Sequence, residues 1–139
     1  MNLKKLFIAF IAAYVFIFAY EFLLHAKLLH HAYEETAHLW RNEADFQSHF
    51  PLLMLGQAVM AFFFTLIFAR YSPGSGVAGG VRLGILIALF CIGANLITFA
   101  VQPLTTTILC GWIVGELIEF AVAGAIIGAI YKPGAAAAV

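Results

Sequence analysis

The sequence predicts an all-α fold: an integral membrane four-helix bundle forming one domain over residues 1–139. Three observations lead there. First, 64% of the residues are hydrophobic and only 10% charged, with a mean hydropathy of +1.00. A soluble domain carries about a quarter charged residues, so this apolar excess needs lipid as its solvent. Second, four apolar runs approach the roughly 20 residues that a spanning helix requires. Third, each run is bounded by charged or turn-forming residues.

The first span is expected at about residues 6–25, after Lys4 and Lys5. A short basic start before an apolar run also resembles a secretory signal. Here the run continues to Leu24 and no Ala-x-Ala follows, so a retained helix is expected. The second span, about 50–69, is expected to carry Pro51 in its first turn, where a missing N–H costs nothing. Arg70 and the Ser-Pro-Gly stretch that follows end it. The third, about 81–101, stops at Gln102-Pro103, and the fourth, about 107–131, at Lys132-Pro133-Gly134. An Ala-rich tail over 133–139 carries no signal.

Lys and Arg near helix ends set orientation. Lys4, Lys5, Arg70, Arg82 and Lys132 fall on one side, Lys27 and Arg41 on the other. This bias predicts an N-in/C-in protein of a bacterial inner membrane, with residues 26–49 as an external loop. In that loop Leu24, Leu28, Ala32, Thr36 and Trp40 recur at helical spacing. An extended amphipathic helix is expected, standing up from the bilayer or packing along it. Trp40, Tyr71, Trp112 and Tyr131 suit interfacial belts, and Tyr14 is expected to face a neighbouring helix.

Three carboxylates fall where hydrocarbon should be: Glu21, Glu116 and Glu119. An intramembrane charge costs about 2.5–3.5 kcal/mol on insertion scales, so such groups face the interior and mark functional sites. Counting 1.5 Å of rise per residue, Glu21, Gln57, Asn95 and Glu116 reach a similar depth in the outer half. One polar layer comprising Glu21, His25, Gln57, Asn95, Glu116 and Glu119 is therefore expected as a proton, ion or cofactor site. Glu21 and His25 share a face at i,i+4, and Glu116 and Glu119 at i,i+3.

Imidazole and carboxylate together suit a transition metal. The candidate ligands are Glu21, His25, Glu116 and Glu119, with His30, Glu34 and His38 as a secondary set; surface His–Glu pairing is the plainer account of the latter. Cys91 and Cys110 lie in apolar runs without a CxxC pair and read as packing. Gly111, Gly115, Gly124 and Gly128 form two GxxxG patterns that let helices approach closely, within the chain or in a homo-oligomer.

Phosphate loops, HExxH, GxSxG and EF-hand patterns are absent, and zero net charge offers nothing to nucleic acid. Three readings follow. The leading one is a non-catalytic accessory or assembly subunit of a larger membrane complex, its outer His/Glu site binding a metal or cofactor. The others are an oligomeric proton-coupled small-molecule transporter using intramembrane Glu, and a metal-dependent membrane enzyme.

Overall fold

A computed structural model describes residues 1–72 and 75–131. Pro73, Gly74, Lys132 and the tail over 133–139 lie outside the described residues. Among the described residues the regular structure is all helical, and four helices are long and apolar enough to cross a membrane. Helix α1 runs Leu3–Leu23 and continues as a π-helical turn, Leu24–Leu28. A short α2 follows over His30–Glu35, then a 3₁₀ turn at Ala37–Leu39. The remaining helices are α3, Glu43–Tyr71; α4, Gly76–Val101; and α5, Thr106–Ile130.

Local chemistry places the starts. The Asn2 side chain accepts the Lys5 N–H, that of Asn42 accepts the Asp45 N–H, and that of Thr105 accepts the Ile108 N–H. Each satisfies a donor that the first helical turn cannot. The Asn42 cap moves the start of α3 seven residues ahead of the predicted 50. Pro51 therefore sits inside the helix and not in its first turn. Polar residues of the expected loop are helical because the cap and Glu43 and Asp45 at the helix start favour it.

Consecutive long helices lie antiparallel where they meet. Phe10 of α1 meets Phe62 of α3, and Phe18 meets Phe50. The Asn2 N–H donates to the Tyr131 hydroxyl at 3.1 Å, joining the start of α1 to the end of α5. The core is built by α1, α3 and α5 around Ile17, Phe64, Phe68, Phe120 and Ile127. Helix α4 packs almost entirely on α5. The architecture is thus a three-helix core with a fourth helix along one side, more lopsided than a symmetrical bundle. Glycine explains the close α4–α5 seam. A Cβ at Gly80 would strike the Gly124 carbonyl, and one at Gly84 the Phe120 carbonyl.

The loop differs most from expectation. It is not one extended helix, because the π turn inserts a residue and α2 ends after six. The Leu29 N–H donates to the Leu24 carbonyl at 2.9 Å, a bond spanning five residues. Leu24 and Leu29 therefore share a face, each 7% exposed, while Leu28 turns outward at 70%. Their side chains occupy the space over Gly115 and Gly111. The first GxxxG thus accepts leucine knobs from the α1 extension, while the second meets α4, with Gly128 against Gly76. Both are used inside the chain.

Candidate functional site

The most buried carboxyl among the described residues is that of Glu119, only 2% exposed. Its carboxyl lies beside that of Glu21, which α1 brings across from the opposite end of the sequence to line the same cavity. Glu21 Oε2 also lies 3.1 Å from His25 Nε2. His25 sits within the π turn, which fixes the direction of its ring.

Beyond the imidazole, His25 Nδ1 lies 2.6 Å from the Tyr33 hydroxyl, and Trp112 Nε1–H donates to that hydroxyl at 2.7 Å. Indole nitrogen can only donate. Tyr33 therefore accepts from Trp112; in the His25 tautomer with its proton on Nε2, directed at Glu21, the Tyr33 hydroxyl donates to Nδ1. In that tautomer the directions agree along the whole chain: Trp112 to Tyr33 to His25 to Glu21, with Glu119 on the far side. Burial pushes the Tyr33 hydroxyl up to about 12, opposed by the Trp112 N–H and assisted by the negative charge of Glu21. The hydroxyl thus keeps its proton at neutral pH.

The other carboxylate is held separately. Asn95 Nδ2 donates to Glu116 Oε1 at 2.8 Å, linking α4 to α5. Glu116 Oε2 and Glu119 Oε1 are buried and accept no hydrogen bond from the described residues. Both glutamates, Glu21, His25, Asn95 and Trp112 line a cavity of about 230 Å³. Gln57 does not reach it. It lines a second cavity, about 330 Å³, between α1 and α3. Glu21 and His25 line both, so that pair forms the wall between them.

The candidate metal ligands do not close into a cage. Among the described residues no three of His, Cys, Asp and Glu are grouped to hold a metal ion. Asn95 engages Glu116 on one side, while Glu21 and Glu119 engage each other on the other. His30 and Glu34 pair at 3.4 Å, and His31 and Glu35 at 3.7 Å, all on the exposed side of α2. Helix α2 ends before His38, which therefore cannot continue the His30–Glu34 stack.

Sequence reasoning missed three participants. Trp112 read as interfacial belt and Tyr33 did not stand out from its amphipathic segment; only the close approach of α2 to α5 joins them. Cys91 read as packing, yet it lines the smaller cavity, while Cys110 is exposed. Cys91 and Asn95 are i,i+4 on one face of α4, which was the available signal. Against protein-family models, curated proteins and solved structures, the chain finds no match.

Proposed function

We propose that this chain is a small proton-coupled membrane carrier whose proton-binding centre is the Glu21–Glu119 pair. One observation carries the reading: the buried Glu119 and the half-buried Glu21 line one cavity, and Glu21 is joined through His25 to Tyr33 in the segment after α1. Buried carboxyls are costly in hydrocarbon and usually serve ion or proton movement. A chain of titratable and hydroxyl groups with consistent donor directions gives a proton a route between the loop and the interior. The adjoining cavities supply space for a solute beside the same carboxylate.

In this reading both termini are cytoplasmic and the His-rich segment lies outside, as the Lys and Arg bias supports. A proton enters by way of Tyr33 and His25, and Glu21 shares it with Glu119. Solute occupying a cavity changes the environment of Glu21 and thus the affinity for that proton, which is the linkage that coupling requires.

The test is solid-supported-membrane electrophysiology on the purified protein in liposomes. Small amines, amino acids, sugars and organic acids would be applied under a pH gradient. At least one class should give a transport current, and Glu119→Gln should abolish it. Silence from every class would overturn the reading.

A second reading has its own observation. Helix α4 is held almost solely by α5, leaving Leu86, Phe90 and Ile97 outward at 64%, 82% and 68% exposure. That broad face suits a subunit of a larger complex as well as it suits lipid. Native-membrane extraction in mild detergent, followed by sizing, separates the two.

A further inference from the structure

The larger cavity has a chemistry of its own. It is walled by Phe18 and Phe22 from α1 and by Phe46 and Phe50 from α3. The rings form a connected wall: Phe18 and Phe50 have centroids 6.4 Å apart, and Phe46 and Phe50 6.0 Å. Its other lining side chains include Glu21, His25 and Gln57, but no lysine or arginine. We propose that this cleft binds a small hydrophobic ammonium compound, with the Glu21 carboxylate as its counter-charge and the phenylalanines enclosing its apolar body.

Three features favour a cation. An anion would meet Glu21 without a compensating base other than His25. A neutral apolar molecule would desolvate that carboxylate and return nothing to it. An ammonium group satisfies it, and aromatic faces attract cations as well. A carboxylate offers about four lone-pair sites, and His25 and Glu119 engage Glu21 without exhausting them. Gln57 adds a further acceptor. It is 7% exposed, and its Oε1 accepts nothing from the described residues. The terminal amide torsion is soft, so turning it presents that oxygen to a donor in the cleft. The volume of about 330 Å³ lies at the small end of ligand sites.

This inference rests on the carrier reading and names its substrate class. The cation and the shared proton would both draw on Glu21, so occupation of the cleft weakens the hold of Glu21 on Glu119's proton. The two would therefore exchange.

The experiment is calorimetric titration of the full-length protein in lipid nanodiscs with phenethylammonium. Its neutral counterpart 2-phenylethanol and the anion 3-phenylpropionate serve as comparisons. The amine should bind at least about tenfold more tightly than the alcohol, and the anion should not bind. Phe22→Ala and Phe46→Ala should each weaken the amine several-fold. Both side chains are substantially exposed, at 59% and 39%, so their loss leaves the core intact. Phe90→Ala, on the far side of α4, should change nothing. Equal binding of the alcohol would mark the cleft as a general apolar groove, such as one for an acyl chain, and would overturn the inference. So would absence of amine binding, or an affinity indifferent to Phe22 and Phe46. A transport current with sugars or acids that Glu119→Gln abolishes would still stand, because it does not depend on this ligand.

Discussion

Tyr33 joins more of the site than any other single side chain. Its hydroxyl accepts from Trp112 and pairs with His25 Nδ1, so its loss leaves an indole N–H and a ring nitrogen unpartnered together. Leaving buried donors or acceptors unsatisfied costs about 1–3 kcal/mol. Tyr33→Phe should therefore lower the thermal unfolding midpoint in detergent while preserving helix content by circular dichroism. The same substitution carries a pH signature. Burial raises the folded hydroxyl to about 12 from an ordinary 10.0. The folded state then holds its proton more tightly than the unfolded state, so the contribution is complete below pH 10. It is lost as pH rises from 10 towards about 12, because only the unfolded chain ionises there. Unfolding midpoints of the parent and Tyr33→Phe proteins should converge over that interval. Parallel curves would mean that the hydroxyl is not buried as described.

At the scale of elements, glycines separate seams from open faces. In Gly80→Ala the new methyl meets the Gly124 carbonyl, a backbone atom that cannot swing aside. Overpacking of this kind costs about 1–3 kcal/mol, and α4 should loosen from α5. Gly93→Ala, on the same helix, meets nothing within 4 Å. There alanine removes the helix penalty of glycine, about 0.5–1 kcal/mol, so stability should rise. Thermal unfolding of the two variants side by side checks both signs. Opposite outcomes would mean that α4 contacts α5 through a different face. The π turn is the second element with a distinct consequence. It places Leu24 and Leu29 over Gly115 and Gly111 and sets the His25 ring between Glu21 and Tyr33. Deleting Ala26, an exposed residue of that turn, would restore α-helical register at the expense of this alignment. Transport should then fail while the helices remain.

For the whole molecule, the prediction concerns sidedness. Helix α3 is long enough to cross a bilayer, with Ser48 near one end and Ser72 just beyond the other. In a protein lacking Cys91 and Cys110, single cysteines at those two positions should react with an impermeant maleimide from opposite faces of sealed vesicles. Reaction from the same face would remove the spanning assignment, and with it the carrier reading. The proposed orientation requires the position 48 cysteine to be the external one.

Much of this was legible in the residues alone. The number of spans was legible because hydropathy is a one-dimensional property: a run of apolar residues pays no regard to its neighbours when it partitions into lipid. Glu21, Glu116 and Glu119 stood out for the same reason, being costly anywhere in hydrocarbon. What the residues could not disclose was the pairing. Glu119 meets Glu21 while Glu116 meets Asn95, and Gln57 lies in a different cavity at a similar depth. Depth follows from counting along each helix, whereas facing depends on helix rotation and on which neighbours are adjacent. Tyr33 and Trp112 were hidden by the π turn and the break after Glu35, since both alter the register on which periodicity arguments depend. The lopsided packing of α4 was hidden too, because an apolar helix surface looks the same in sequence whether lipid or protein covers it. The sequence by itself determined that this chain has four helices suited to lipid and acidic groups that must hide within them. Only the tertiary structure decided which of those groups meet, because that depends on backbone register and on close approach between residues far apart in the chain.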